Sequence, residues 1–213
     1  MKLTPSMLRL YAVTDRSWSA DEADFWRRVS EAMEGGAQVV QLREKHLSHE
    51  AMLRAAERFV ALCRKCGTVS IINDDVEAAV ASGADGVHVG QEDLEAGRAR
   101  ALLGPDKLIG VSAHNVEEAL AAQAAGADYL GVGAAFVTGT KSDAAPISRE
   151  TIRAITQAVD IPVVAIGGIG PENILDLAGC GLDGVAVVSA LFAREDTAQA
   201  ARQMRALAEQ IAR

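Results

Sequence analysis

The chain alternates short apolar runs with longer stretches in which apolar residues recur every three or four positions. Apolar runs at 8–14, 39–43, 69–73, 86–90, 108–112, 129–133, 163–167 and 184–188 predict eight strands. Helical patterns near 22–34, 49–65, 76–82, 94–103, 116–125, 149–158, 172–179 and 196–211 predict a helix after each strand. Runs such as Val163-Val164-Ala165-Ile166 show no alternation, as a strand covered on both faces requires. A phrase recurs four times, as Gly36-Ala37-Gln38-Val39, Gly83-Ala84-Asp85-Gly86, Gly126-Ala127-Asp128-Tyr129 and Gly181-Leu182-Asp183-Gly184. Each reads as a glycine that stops a helix followed by the start of a strand. The intervals between these phrases hold about two strand–helix units each.

Eight such units predict an α/β fold, a (β/α)₈ barrel of the TIM type, as one domain over residues 1–213. An open doubly wound sheet is the alternative, because it also alternates strand and helix. Closure distinguishes the two, since only the barrel leaves no strand edge unpaired.

Composition narrows the partners. With 21 basic against 29 acidic side chains the formal charge is −8, which argues against a nucleic-acid surface or a basic membrane patch. No apolar run approaches the roughly 20 residues of a membrane span. The opening MKLTPSML lacks the order of a secretory signal, so a cytoplasmic protein with small-molecule ligands is expected. A homo-oligomer is compatible with the sequence. Cys63, Cys66 and Cys180 are expected as reduced thiols, with Cys63-Arg-Lys-Cys66 late in a helix and lacking a second ligand pair for zinc.

In such a barrel the chemistry belongs to the loops after the strands. After the second strand, alternation sends Gln41, Arg43 and Lys45 to one side, an anion-binding set. After the third and fourth come Asn73-Asp74-Asp75 and Gly90-Gln91-Glu92-Asp93. Neighbouring strands lie about 4.8 Å apart, so Asp74 and Asp93 could share one magnesium ion. Asp75 fits a helix cap better, and Asp93 fits cap and metal ligand equally. Ser112, after the fifth strand, could donate to a phosphate oxygen. His114 reads either as a rim residue or as an acid–base group, and His88, between Val87 and Val89, as an interior residue. The sixth strand is followed by Phe136-Val137-Thr138-Gly139-Thr140-Lys141, expected to be a phosphate-binding flap. Gly167-Gly168-Ile169-Gly170 after the seventh strand, and Val188-Ser189 opening a short turn after the eighth, form the backbone phosphate cradle of these barrels. Two anion sites result, one made by side chains and one by backbone.

Taken together, Gln-Leu-Arg-Glu-Lys at 41–45, Asn-Asp-Asp at 73–75, Gly-Gln-Glu-Asp at 90–93, Gly-Val-Ser-Ala-His at 110–114, Thr-Gly-Thr-Lys at 138–141 and Ile-Gly-Gly-Ile at 166–169 resemble the thiamine phosphate synthase family nearly end to end. The resemblance implies a transferase that couples an aminopyrimidine methyl diphosphate to a thiazole ethyl phosphate with magnesium, releasing pyrophosphate. By position it implies pyrimidine diphosphate binding by Gln41, Leu42, Arg43, Glu44, Lys45, Asn73, Ser112 and Lys141. Arg43, Ser112 and Lys141 would act on the leaving group, Asp74 and Asp93 would hold magnesium, and Thr138, Gly139, Thr140, Gly168, Val188 and Ser189 the thiazole phosphate. A related thiazole tautomerase, and a non-catalytic sensor of phosphorylated metabolites, would need the cradle without the cation and carboxylate set. The chain departs from the family in carrying Ala134 and Val137 where the loop after the sixth strand usually has prolines. Each missing proline removes a restraint of about 0.4–1 kcal/mol, so a less ordered loop is expected.

Overall fold

The structure, a computed structural model, describes residues 3–90, 96–137 and 146–213. Eight parallel strands pair in sequence order and the last returns to the first: β1 (Leu10–Val13), β2 (Val39–Leu42), β3 (Val69–Asn73), β4 (Gly86–Val89), β5 (Leu108–Ala113), β6 (Tyr129–Val132), β7 (Val163–Ile166) and β8 (Gly184–Val187). Pairing of β1 with β8, Tyr11 opposite Ala186, closes the barrel and excludes the open sheet. Around it lie α1 (Glu22–Glu34), α2 (His49–Cys66), α3 (Val76–Ser82), α4 (Ala96–Leu103), α5 (Val116–Ala124), α6 (Arg149–Ala158), α7 (Ser189–Phe192) and α8 (Thr197–Ile211).

Helix starts follow from local chemistry. The side chains of Asp21, Ser48, Asp75, Asn115, Ser148 and Asp196 each accept from a backbone N–H in the first turn of the helix that follows. Asp75 therefore acts as the cap its position suggested.

Two expected elements differ. The first strand begins at Leu10, because Pro5–Leu8 form a 3₁₀ turn whose Leu8 is fully buried inside the barrel. The helix expected at 172–179 is only a 3₁₀ turn, Ile174–Leu177. There the Asn173 side chain accepts from Gly170 N at 2.9 Å and donates to Gly168 O at 2.9 Å, local bonds that compete with a regular helix start.

Two apolar clusters result. One fills the space between barrel and helices, with Leu42, Ile72, Val87, Ile109, Leu130 and Val185 facing Phe25, Phe59, Ile152 and Met204. The other lies inside the barrel and contains Leu8, Tyr11, Val39, Ile71, Leu108, Tyr129 and Val164. Each strand thus has two buried faces, which explains the unbroken apolar runs.

The repeated phrase has a structural purpose at the N-terminal end of the strands. The Asp85 carboxylate accepts from Ser70 N at 2.9 Å and Ser70 Oγ at 2.8 Å. Asp128 accepts from Ile109 N at 2.7 Å, and Asp183 from Val163 N at 2.8 Å. Each aspartate just before an even-numbered strand fastens the strand before it. In the first copy Gln38 replaces the aspartate and accepts instead from Arg205 Nη1 at 2.8 Å.

Asp183 is buried and also takes Arg213 Nε at 3.0 Å. Asp183→Ala would strip the partner from the Val163 amide and is expected to lower the unfolding free energy by about 1.5–3 kcal/mol. Urea denaturation checks this, and a loss below about 0.5 kcal/mol, the usual range of a surface substitution, would contradict the clamp.

Candidate active site

Because side chains alternate along each strand, every second residue enters the barrel, and on β2 to β5 the last inward residues before the loops are polar, whereas Val13, Ile166 and Val188 keep the opposite side apolar. They open into a cleft enclosing about 910 Å³, solvent at its mouth included. Gln41, Arg43, Asn73, His88, Ser112 and His114 line one part of it. Gly167, Gly168, Ile169, Val188 and Ser189 line another. The described parts of the two sets that the sequence suggested as anion sites therefore face a common space.

The end of β2 is held by its neighbour. The Thr14 amide donates to Gln41 O at 3.0 Å, and the Arg43 amide donates to the buried Thr14 hydroxyl at 3.0 Å. Gln41 and Arg43 turn into the cleft, while Leu42 and Glu44 turn outward. The Leu42 side chain is fully buried against the helices, and Glu44 is ion-paired with Arg16 at 2.7 Å. Arg16 in turn lies over the Phe25 ring, 4.1 Å from its centroid. The side chains of Leu42 and Glu44 thus belong to the wall behind the cleft. Lys45 and Asp74 are exposed at the rim, outside the lining.

Asp74 has φ +61°, a left-handed conformation that costs a non-glycine residue on the order of 1 kcal/mol. Its amide donates to His88 O at 2.8 Å, and its carboxylate accepts from Asn73 Nδ2 at 2.6 Å. A carboxylate oxygen at this strand end is the donor type a hard cation such as magnesium takes. Among the described residues no cluster of three or more His, Cys, Asp or Glu could hold a metal alone. An ion at Asp74 would therefore share its remaining coordination with ligand oxygens, water or residues beyond the described ones. Asp93, Thr138, Gly139, Thr140 and Lys141 lie outside the described residues.

On the cradle side, Gly168 has φ +63°, and a Cβ there would fall 2.4 Å from Val137 O. The segment after β6 is tied down by its backbone: Ala135 N donates to Ile166 O at 2.8 Å, Phe136 N to Gly167 O at 3.0 Å, and Ile147 N to Ala134 O at 2.8 Å. These bonds restrain the backbone over 134–136. The Gly133–Ala134 peptide is cis. Val188 precedes α7, and Val188 and Ser189 line the cleft where this short turn begins.

His114 is half-exposed at the rim, its Nδ1 2.8 Å from Glu118 Oε2. His88 is interior, as its place within an apolar strand suggested, yet it also lines the cleft. Sequence reasoning missed Tyr11 and Tyr129, the only two tyrosines of the chain, whose hydroxyls lie 2.8 Å apart beneath the cleft. Their inward places on β1 and β6, within otherwise apolar runs, were the available signal.

A closed parallel barrel whose cleft gathers Arg43, polar side chains and a glycine-rich turn at the same strand ends has the build of a barrel enzyme. Residues 10–191 match the thiamine monophosphate synthase family. Over 201 residues the chain is 53% identical to the thiamine-phosphate synthase of Chloroflexus aurantiacus, covering 93% of this chain and 92% of that one. It is 49% identical to that of Moorella thermoacetica, over 82% of this chain and 83% of that one. A thiamine phosphate pyrophosphorylase from Pyrococcus furiosus superposes with a TM-score of 0.88 at 38% identity, covering 97% and 98% of the two chains. The chain belongs to the thiamine monophosphate synthase family, and its class is that of a transferase.

Gly168→Ala tests the packing on the cradle side. The added methyl meets both a left-handed backbone and the Val137 carbonyl, and is expected to cost about 1–3 kcal/mol of stability. Denaturant titration reads this directly, and an unchanged midpoint would contradict the close approach.

Proposed function

We propose that the barrel condenses 4-amino-2-methyl-5-(diphosphooxymethyl)pyrimidine with a thiazole ethyl phosphate, releasing pyrophosphate and forming thiamine phosphate, in the cytoplasm and with magnesium. The observation that carries this reading is the single cleft shared by Gln41, Arg43, Asn73 and Ser112 on one side and Gly168, Val188 and Ser189 on the other. It supports a reading in which a diphosphate and a monophosphate have separate places within reach of one reacting centre.

In this reading Arg43 binds the diphosphate with a planar fork of donors matched to its oxygens. Gln41, Asn73 and Ser112 orient the pyrimidine end, and the amides around Gly168, Val188 and Ser189 receive the thiazole phosphate. The bond between the pyrimidine methylene carbon and the diphosphate oxygen breaks, with both electrons leaving on the oxygen. The thiazole nitrogen lone pair then forms the new carbon–nitrogen bond. Charge developing on the leaving oxygens is what Arg43 stabilises, together with Lys141 of the loop after β6. Asp74 and Asp93 would hold magnesium, whose charge would assist departure of the diphosphate. No side-chain nucleophile is required.

Incubation of the protein with both heterocycles and magnesium, followed by mass detection of thiamine phosphate, tests the proposal. Folded protein that yields no coupled product would overturn it. Arg43→Ala is expected to lower turnover by about 10²–10³-fold while leaving thermal stability nearly unchanged, since Arg43 reaches into the cleft instead of the core. Asp74→Asn should raise the magnesium concentration needed for half-maximal rate, and an unmoved magnesium dependence would remove Asp74 from the metal site.

A further inference from the structure

A continuous line of side-chain hydrogen bonds crosses the barrel beneath the cleft. From Asp74 it runs through Asn73 Nδ2, Asn73 Oδ1 and Gln41 Nε2 to Gln41 Oε1, which accepts from Tyr11 Oη at 2.9 Å. Tyr11 Oη lies 2.8 Å from Tyr129 Oη, and Tyr129 Oη 3.2 Å from His88 Nδ1. His88 Nε2 lies 3.1 Å from Ser112 Oγ. Six strands, β1 to β6, and the loop after β3 contribute to this one line. The sequence leaves room for it: a Cβ on Gly110 would fall 2.2 Å from Tyr129 Cζ and 2.5 Å from His88 Nδ1.

The direction of each bond follows from the number of hydrogens available. An ionised carboxylate only accepts, so Asn73 must turn its amide nitrogen toward Asp74 and its oxygen toward Gln41. Gln41 must then give its nitrogen to Asn73 and its oxygen to Tyr11. Tyr11 has a single hydroxyl hydrogen and spends it on Gln41, so the contact between the two tyrosines is filled by the Tyr129 hydrogen. That leaves His88 Nδ1 as the donor to Tyr129, and a neutral imidazole protonated on Nδ1 accepts at Nε2. Burial holds both phenols above their ordinary pKa, the neighbouring tyrosine adding to the rise at Tyr11, so both hydroxyls keep their hydrogens.

We propose that Tyr11, Tyr129 and His88 are positioning residues that form a one-way relay from Asp74 to Ser112, fixing the Gln41 carboxamide in one orientation and His88 as the Nδ1–H tautomer. Gln41 and Ser112, which both face the cleft, are thereby set with respect to each other across the barrel. Resting on the functional reading above, this makes the relay a device that pre-orients the pyrimidine diphosphate site and leaves the thiazole phosphate cradle untouched. Pre-orientation of a buried amide and hydroxyl removes the cost of ordering them when ligand arrives.

The test uses the full chain labelled with ¹⁵N-histidine. Imidazole nitrogen shifts should show His88 with a protonated Nδ1 and an unprotonated Nε2 near neutral pH. Tyr11→Phe keeps the ring and removes the hydroxyl, freeing the Tyr129 hydrogen to turn toward His88 Nδ1. The tautomer should then reverse to Nε2–H, although Tyr11 does not touch His88. A packing role for Tyr11 would not move that signal. An Nε2–H tautomer in the parent, or an unchanged tautomer in Tyr11→Phe, would overturn the relay. Tyr11→Phe should also raise KM for the pyrimidine diphosphate about five- to tenfold, the value of roughly one hydrogen bond, with KM for the thiazole phosphate unchanged. Equal changes in both constants, or none, would overturn the positioning role. The NMR result stands whether or not the parent couples the two heterocycles, so failure of the functional reading is distinguishable from failure of the relay.

Discussion

Strands of four to six residues can bury all their backbone groups only by closing on themselves, and closure encloses whatever side chains point inward. Toward the N-terminal end of this barrel those side chains are apolar: Leu8, Val39, Val69 and Leu108 need nothing but contact. Above them, beside the apolar Val13, Ile166 and Val188, come Gln41, Tyr11, Tyr129, His88 and Ser112, and each of these five must find a hydrogen-bond partner inside the enclosure. The contact between two tyrosine hydroxyls, 2.8 Å apart, joins the halves of this polar layer. The cleft above it inherits its geometry.

The same closure separates stability from chemistry. At the closed end, aspartates before β4, β6 and β8 fasten the strands that precede them, and Arg9 and Arg213 tie the Asp183 region together through Arg9 Nη1 to Asp183 O at 2.7 Å. None of these groups approaches the cleft. At the open end, Arg43 and the glycine cradle of Gly167 and Gly168 are held by backbone bonds from Thr14 and from the segment after β6. Loops there can change their chemistry at little cost to the scaffold.

Much of this was legible in the sequence because it follows from periodicity. Strand and helix positions came from apolar spacing, and the common side of Gln41 and Arg43 from alternation. The family resemblance named the segment 41–45 as a block, whereas the fold splits it between cleft and wall. The aspartate clamps were visible only as a repeated phrase, since sequence gives no hint that a carboxylate before one strand serves its neighbour. The relay was hidden for a different reason. A tyrosine in an apolar run reads as core, and only the pairing of Gly110 with Tyr129 and of His88 with Gly110 brings the polar atoms together. The 3₁₀ turn at 174–177 was misread as a helix because the Asn173 side chain, not the apolar spacing, decides the local backbone.

In the proposed reading one cleft holds a diphosphate and a monophosphate at different places. Its most direct test is calorimetric titration of the thiazole ethyl phosphate into protein saturated with pyrophosphate and magnesium. Two separate places predict a thiazole phosphate affinity within about twofold of that of the free protein, under 0.5 kcal/mol. Direct competition, with affinity falling in proportion to pyrophosphate, would place both ligands on the same groups and contradict the account.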